Sequence, residues 1–338
     1  MKAALMRAYH QPLEFVERPM PEIAHPGDVV VRIGGAGVCA TDLHAIEGLM
    51  EGIGVRLPRV LGHENAGWVE AVGDGVTTVS AGDAVLVYPP YSCGLCVPCR
   101  RGNDMHCVHH EFTGLTVDGG FADFVLVDER SLLRLPDGVE PAAVAPHADA
   151  GLTAYHAVRR LAHLSVPGTT AAVIGVGGVG HIALQLLHEL GASSTIAIET
   201  DPRRRALATE LGAGEVLDGA GSVAAVRELT GRGADLVFDF VGTDQSHADS
   251  IAMLARGGTY SVIGYGGTVS APSGPLVGNE HAVIGNLVGS WIDLWELLQL
   301  HASGDVKLRT ETHPLESVNE VLDRLRDGEI TGRAVLVP

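Results

Sequence analysis

Apolar residues in the first 130 positions form short runs that glycine, proline and aspartate interrupt. Runs of this kind between turn residues predict β-strands, and their close spacing favours an antiparallel, barrel-like unit. The predicted strands of this part are residues 28–33, 67–72, 84–87 and 121–127.

Beyond residue 170 the pattern changes to apolar strands that alternate with amphipathic helices. This βαβαβ order predicts a doubly wound parallel sheet. An amphipathic helix follows Gly289, and we expect a terminal strand at 333–337 to return to the first part of the chain. The predicted strands of the sheet are 171–174, 195–199, 215–217, 236–240, 259–263 and 282–287.

The two patterns together predict an α/β protein of two domains, which agrees with a length of 338 residues. We place a β-barrel domain at residues 1–150 and 290–338, and the doubly wound sheet at residues 151–289. The chain leaves the first domain once and comes back to it.

Composition and charge exclude several classes of function. Hydrophobic residues make up 46% and charged residues 19% of the chain, which is typical of a globular protein. A net charge of −18 repels phosphate backbones, so we expect no nucleic-acid partner. Because the sequence shows neither a long apolar stretch nor a secretory signal, we expect a cytoplasmic protein without a membrane span.

A glycine-rich turn follows the predicted strand at 171–174. Its G-x-G-x-x-G pattern opens a helix and is typical of dinucleotide binding, because glycines let the turn tighten and the backbone approach a pyrophosphate. A looser match at 35–40 lacks a following strand with a terminal acid and is rejected. The turn consists of Gly175, Val176, Gly177, Gly178, Val179 and Gly180.

An acidic residue ends the next predicted strand, as the dinucleotide interpretation requires. Glu199 lies 19 residues after Gly180, where a carboxylate accepts hydrogen bonds from the ribose hydroxyls of an adenosine. Its charge would repel a 2′-phosphate, so we predict NAD rather than NADP. Arg203 and Arg204 follow closely and soften this preference, and we count Arg204 among the coenzyme-binding residues.

Four of the five cysteines lie within fifteen residues. The spacing C-x2-C-x2-C-x7-C comprises Cys93, Cys96, Cys99 and Cys107. Short C-x2-C steps supply tetrahedral thiolate ligands from a tight loop, and four thiolates close the site. We therefore predict a structural zinc ion, with an iron–sulfur cluster as the chemical alternative.

The fifth cysteine belongs to a second candidate metal site. Cys39 ends a predicted strand, and His63 and Glu64 lie in a Gly-His-Glu-Asn-Ala-Gly stretch. A cysteine, a histidine and a carboxylate form a candidate zinc site with three protein ligands and one open position.

Three motifs in this order resemble the zinc-containing medium-chain alcohol dehydrogenases. They are the Gly62-His63-Glu64-x2-Gly67-x5-Gly73 stretch, the four-cysteine lobe and the late glycine turn. The resemblance covers the whole chain and is strongest to the bacterial and archaeal tetrameric branch. It implies a GroES-like β-barrel catalytic domain, a Rossmann coenzyme domain and a homo-oligomer, with a tetramer favoured over a dimer.

The resemblance also implies how the catalytic zinc is held. Its ligands would be Cys39, His63 and Asp149, with Glu64 as a possible ligand and Asp42 orienting His63. Many members have cysteine where this chain has Asp149. One thiolate and one carboxylate neutralise Zn²⁺ as two thiolates would, so the site would stay formally neutral.

Further roles are carried over from the family in the same way. Thr41 and His44 would relay the proton of the alcohol through the coenzyme ribose to solvent, while hydride passes to the nicotinamide. Ala40 stands where many relatives have a basic residue over the pyrophosphate. Arg333 of the tail then becomes the expected phosphate-binding side chain.

We predict an NAD-dependent zinc oxidoreductase that interconverts alcohols with aldehydes or ketones. A polyol dehydrogenase is one alternative, but the residues expected to line the pocket are apolar. A non-catalytic NAD-binding protein is another, against which both metal sites and the relay pair argue. The expected pocket residues are Leu49, Met50, Phe112, Leu115, Leu287 and Trp291.

Overall fold

The structure is a computed structural model that describes residues 1–109, 111–192 and 194–338. In these ranges the chain divides into two compact units, Met1–Leu152 with Ser290–Pro338, and Thr153–Gly289. No helix of the described ranges has the length and apolar character of a membrane span.

Strands and helices are numbered in chain order. The strands are β1 (Lys2–Met6), β2 (Glu14–Glu17), β3 (Asp28–Val38), β4 (Arg59–Val60), β5 (Glu64–Val72), β6 (Ala84–Val87), β7 (Phe124–Asp128), β8 (Leu132–Arg134), β9 (Thr170–Ile174), β10 (Ser194–Ile198), β11 (Glu215–Leu217), β12 (Ala234–Asp239), β13 (Leu254–Val262), β14 (Ala282–Gly285), β15 (Thr310–Pro314) and β16 (Arg333–Val337). The α-helices are α1 (Ala40–Ile46), α2 (Val97–Arg100), α3 (Pro141–Val144), α4 (Ala150–Leu161), α5 (Gly180–Glu189), α6 (Pro202–Glu210), α7 (Ser222–Thr230), α8 (Asp244–Met253), α9 (Ser273–Asn279), α10 (Trp291–Ser303) and α11 (Val318–Arg326).

The first unit is built on a mainly antiparallel sheet in the order β15-β16-β3-β5-β6-β8, with β7 also paired to β3. A smaller sheet has the order β2-β1-β4. Alternate valines of β3, including Val29 and Val31, are completely buried in the core between these elements. The terminal strand β16 pairs with β3, so the tail returns to this unit.

Two strands of the first unit are longer than the sequence predicts. Strand β3 continues to Val38, and β5 begins at Glu64. Pairing explains the extension, because Gly37 lies opposite both Glu64 on β5 and Val335 on β16. The glycines between residues 34 and 37 let neighbouring groups approach the strand closely.

The second unit is a six-stranded parallel sheet in the order β11-β10-β9-β12-β13-β14. Its central strands are apolar at nearly every position, as expected when helices cover both faces of a sheet. Strand order reverses between β9 and β12, and ligands of such sheets bind where the carboxyl ends of the strands meet at this point. The glycine turn and Glu199 follow β9 and β10 at this edge.

Candidate active site and metal centres

Three metal-ligating side chains converge in the first unit. Cys39 follows β3, His63 precedes β5, and Asp149 precedes α4. One ligand atom from each lies within 4.8 Å of the others. His63 Nε2 is 3.5 Å and Cys39 Sγ is 3.8 Å from Asp149 Oδ2. The structure thus brings together the three residues that the resemblance implies as ligands.

Asp42 lies behind these ligands and holds two of them. One of its carboxylate oxygens accepts a hydrogen bond from the Cys39 backbone N–H at 2.9 Å, and the other lies 3.3 Å from His63 Nδ1. Both Asp42 and His63 are buried. This arrangement directs the Nε2 atom of His63 toward the cluster, which is the usual way a carboxylate orients a metal-binding imidazole.

The electrostatics of this cluster fit a cation. Burial lowers the pKa of His63, but the carboxylates of Asp42 and Asp149 raise it, and the pKa stands well above its ordinary value. Among the described residues neither ring nitrogen of His63 makes a hydrogen bond of good geometry. A thiol, an imidazole and two carboxylates that are brought together with excess negative charge form a set of groups that Zn²⁺ would neutralise.

Glu64, which the resemblance gives as a possible ligand, contacts two groups other than the three converging ligands. Its Oε1 accepts the N–H of Ala150 at 3.0 Å, at the first residue of α4, and its Oε2 forms an ion pair with Arg333 at 2.5 Å. Burial raises the pKa of Glu64, which the Arg333 guanidinium opposes. Glu64 therefore serves as an N-terminal partner of α4 and as the anion of a buried pair.

Arg333 is the cation of this buried pair and is not exposed at the surface. Its side chain is 4% exposed. Burial lowers the pKa of Arg333, yet the Glu64 carboxylate raises it, so that it ends above its ordinary value. The expected contact of Arg333 with a coenzyme phosphate stays a prediction. Such a contact would require the guanidinium to bind Glu64 and the phosphate at the same time.

The proposed relay residues lie on the helix that follows Cys39. Thr41 and His44 are three residues apart on α1 and therefore share a helix face. Thr41 Oγ1 lies 3.6 Å from Cys39 Sγ. A hydroxyl beside a metal-ligand sulfur is well placed to contact a group bound at the same centre.

The glycine turn of the second unit meets the steric demands of dinucleotide binding. Gly175 has φ +86°, and a Cβ on Gly180 would lie 1.9 Å from the Gly175 carbonyl oxygen, so both positions require glycine. A Cβ on Gly177 would meet nothing within 4 Å, which leaves space for a ligand. Val179 is the N-cap residue of α5, so the first N–H groups of that helix follow the turn.

Glu199 is held against this turn. Its two carboxylate oxygens accept the backbone N–H groups of Val176 at 2.8 Å and Asp201 at 2.9 Å. Asp201 in turn caps α6 by accepting the N–H groups of Arg203 and Arg204. The side chain of Arg203 also binds Asp201 and thereby holds the pKa of that carboxyl below its ordinary value.

The four-cysteine lobe forms a second compact group of ligands. The Sγ atom of Cys96 is 3.3 Å from that of Cys99 and 3.9 Å from that of Cys107, and the Cys93 backbone N–H donates to the Cys107 sulfur. Backbone N–H groups of Cys99 and Val108 lower the pKa of Cys96 to about 6. Such donors favour the thiolate form that metal binding requires.

Comparison with known proteins places the chain in a family. Residues 25–137 match the family model of the alcohol dehydrogenase GroES-like domain, and residues 178–303 match that of the zinc-binding dehydrogenases. The chain belongs to the zinc-containing medium-chain alcohol dehydrogenases. The predicted family, the two-part fold class and the class of enzyme, an oxidoreductase, are thereby confirmed.

Full-length relatives agree with this membership. The crystal structure of an alcohol dehydrogenase from Aeropyrum pernix is 41% identical, with a TM-score of 0.97 and all of both chains covered. An NAD-dependent alcohol dehydrogenase of Sulfolobus acidocaldarius is 35% identical over 99% of both chains. A D-arabinose 1-dehydrogenase (NADP⁺) of Saccharolobus solfataricus is 34% identical over 100% of this chain and 97% of its own.

The structure places the expected pocket residues of this alcohol dehydrogenase in different environments. The Phe112 ring lies 6.1 Å from that of His63 and therefore adjoins the candidate metal site. Met50 and Leu115 are buried in the core of the first unit. Leu49 is 66% exposed, and Leu287 belongs to the second unit.

Two histidines to which the sequence patterns assign no role make buried contacts. His181 is completely buried, with Nδ1 3.0 Å from the Gly177 carbonyl oxygen. His301 on α10 lies 3.0 Å from His147. The buried pair of Glu64 and Arg333 was also missed, although the pairing of β16 beside Cys39 is a signal that could have revealed it.

We expect Cys96→Ser to remove the lobe metal and destabilise the protein without entering the chemistry. A structural zinc supplies folding free energy, so the variant should contain about one zinc per chain and melt at a temperature lower by roughly 5 °C or more. Elemental analysis and calorimetry measure both effects. Leu95→Ser in the same loop, where Leu95 is 71% exposed, is the control and should keep both metals. Iron in the purified protein, or undiminished zinc in the Cys96 variant, would contradict the assignment.

Proposed function

We propose that the protein oxidises apolar primary or secondary alcohols reversibly to aldehydes or ketones, with NAD as the hydride acceptor. The observation that carries this proposal is the convergence of Cys39, His63 and Asp149 within 4.8 Å. This set offers one thiolate, one imidazole and one carboxylate, and three protein ligands leave a fourth tetrahedral position for a substrate oxygen.

Three observations support the predicted cofactors, which are NAD and two zinc ions per chain. The relatives include a protein named NAD-dependent alcohol dehydrogenase, and the second family model is that of zinc-binding dehydrogenases. The two clusters provide one open and one closed set of ligands. We assign the open set to the catalytic zinc and the four cysteines to the structural zinc.

When bound, zinc would lower the pKa of the alcohol hydroxyl and NAD would accept the hydride. The protein's own task is then to hold the ligands and to remove a proton. Asp42 fixes Cys39 and His63 through the contacts described above. Thr41 Oγ1 would accept the alcohol proton and release its own hydroxyl proton. His44, one helical turn further along α1, would take up the released proton and pass it toward solvent.

An apolar substrate is favoured by Phe112, whose ring adjoins His63. The similarity to a D-arabinose dehydrogenase keeps a sugar or polyol as the second candidate. A panel of aliphatic and cyclic alcohols, polyols and aldoses, followed by NADH absorbance, separates the two. We expect the highest kcat/KM among the simple alcohols, and a preference for aldoses or polyols would reverse the assignment.

We expect NAD to support turnover better than NADP, and Glu199→Gln to narrow the gap between them by about tenfold or more, which is about 1.4 kcal/mol. The charge of Glu199 opposes a 2′-phosphate, and Asp201 engages the side chain of Arg203. Glutamine keeps a hydrogen-bond acceptor for the Val176 N–H, so the glycine turn should persist. The ratio of kcat/KM with NAD to kcat/KM with NADP measures the effect. Equal kcat/KM values for the two coenzymes in the unmodified enzyme would refute the prediction.

We also propose a homo-oligomer, with a tetramer favoured. Strand β13 pairs with β12 on one side and with β14 on the other, so both of its edges are occupied. One of the two edge strands of the sheet is β14, where Val283 is 38% exposed. An open edge strand with apolar side chains favours pairing with a second copy. Native mass spectrometry tests this proposal, and a mass of 35.3 kDa for a single chain would contradict it.

Clustered free cysteines suit a reducing compartment, and on this ground we propose a cytoplasmic location.

A further inference from the structure

A buried polar cluster lies at the carboxyl end of β12 in the second unit and includes none of the candidate metal ligands. Asp239 is the last residue of β12, Ser246 and His247 lie on α8, and Tyr260 lies on β13. The exposed fraction of Asp239 and Tyr260 is 0%, and that of His247 is 2%. A carboxylate so deeply buried in an apolar sheet is costly unless every acceptor position is filled.

The side chains of this cluster fill one oxygen of Asp239. Tyr260 Oη donates to Oδ2 at 3.0 Å, and Ser246 Oγ donates to the same atom at 2.7 Å. His247 Nδ1 lies 2.5 Å from Tyr260 Oη. His247 Nδ1 also lies 3.3 Å from Asp239 Oδ2, so a proton on Nδ1 can be donated to the carboxylate or to the tyrosine oxygen.

The other oxygen of Asp239 holds a turn of the backbone. Oδ1 accepts the N–H groups of Val241 at 2.8 Å and Gly242 at 3.1 Å. Gly242 has φ +73°, and a Cβ there would lie 2.2 Å from the Gly264 carbonyl carbon. The turn 240–242 is therefore tightly packed and depends on the carboxylate for its N–H partners.

This turn lies directly against the glycine turn. A Cβ on Gly175 would meet Val241 Cγ2 at 2.7 Å, and one on Gly180 would lie 3.4 Å from Phe240 Cδ2. The Phe240 N–H also donates to the carbonyl of Ile174, the residue before the glycine turn. A displacement of the turn 240–242 would therefore be transmitted to the backbone that is expected to receive the pyrophosphate.

We propose that Asp239, His247 and Tyr260 are positioning residues that set the affinity for the coenzyme. The pair of His247 and Tyr260 orients Asp239, and Asp239 fixes the turn 240–242 against the first and last glycines of the glycine turn. None of the three needs to touch the coenzyme. The inference rests on the proposed function, in that NAD is the ligand of the glycine turn.

Removal of one donor should loosen this arrangement and leave the fold intact. Without the Tyr260 hydroxyl, Asp239 Oδ2 keeps its contacts with Ser246 and His247 but loses one of three partners. The carboxylate is then held less firmly, and so are the backbone N–H groups of the turn that it accepts. A ligand that binds to this turn must then order it, which lowers the affinity for that ligand.

The test is Tyr260→Phe in the full-length, zinc-loaded enzyme, with calorimetric titration of NADH and steady-state kinetics. We expect the Kd for NADH and the KM for NAD to rise about tenfold, with kcat within about twofold and two zinc ions retained. Thr195→Val is the matched control, because Thr195 is also buried in this sheet and its hydroxyl binds the Gly214 N–H. Thr195 lies near the amino end of β10, whereas the glycine turn and Glu199 lie at the carboxyl ends of their strands. We therefore expect Thr195→Val to lower stability without a change in the Kd for NADH.

Replacement of His247 supplies an independent measurement. His247→Asn places an amide N–H near the former Nδ1 position, so this variant should retain most of the NADH affinity. His247→Leu should weaken NADH binding as Tyr260→Phe does. Unchanged Kd and KM in both Tyr260→Phe and His247→Leu would overturn the proposal. Failure of the unmodified enzyme to bind NADH would instead refute the proposed function.

Discussion

The Asp149→Asn variant is expected to contain one zinc ion per chain. Its activity should be at least about a hundredfold lower than that of the unmodified enzyme, a loss typical of a disturbed metal site. Asp149 Oδ2 lies 3.5 Å from His63 Nε2 and 3.8 Å from Cys39 Sγ. A neutral amide is a poor ligand beside them and leaves the zinc site with a formal charge of +1. Elemental analysis and alcohol oxidation rates measure the two effects.

The alternative role of Asp149 is to cap α4, and the same variant separates the two roles. Asparagine caps a helix about as well as aspartate, so capping alone predicts a change in stability well under ~1 kcal/mol and no loss of metal. Asp293→Asn is a suitable control, because Asp293 is buried in the same unit at the first turn of α10. Two zinc ions and near-full activity in Asp149→Asn would refute its role as a ligand.

Arg333→Met is expected to lower the free energy of unfolding by about 3–5 kcal/mol, since it leaves a buried carboxylate without its cation. Glu64 is completely buried and Arg333 is 4% exposed. The double variant Arg333→Met with Glu64→Gln should recover much of the loss, because it removes both charges. Urea unfolding followed by circular dichroism measures these differences.

Two outcomes distinguish the roles open to Arg333. Arg134→Met removes an exposed ion pair with Asp83 in the same unit and should cost under ~1 kcal/mol. If Arg333→Met were equally mild and instead raised the KM for NAD, Arg333 would act on the coenzyme phosphate, as the resemblance implies. A large loss of stability that Glu64→Gln does not repair would contradict the buried-pair account.

Local patterns predicted those features whose residues are close in sequence. The apolar strand before Gly175, the glycine turn and the helix after it follow from some twenty consecutive residues. The cysteine lobe likewise lies within fifteen residues. In both cases the short spacing itself determines the geometry, so no knowledge of distant contacts is needed.

Features made by distant contacts were not predictable in this way. Gly37 lies beyond the predicted strand, yet it belongs to β3 because it pairs with Glu64 and Val335. Glycine is required there because a Cβ would lie 2.0 Å from Glu64 Oε2. Arg333 is 269 positions from its partner Glu64, and the Asp239 cluster joins two strands and a helix. Only the register of the sheets brings these groups together.

The central claim, zinc-dependent alcohol oxidation at Cys39, His63 and Asp149, is tested most directly by metal removal and return. NADH formation from an apolar alcohol should fall to background as a chelator removes the more accessible zinc, and one equivalent of Zn²⁺ per chain should restore it. The open ligand set should empty first, because four thiolates close the lobe site. Undiminished turnover in a protein stripped of both zinc ions would contradict the account.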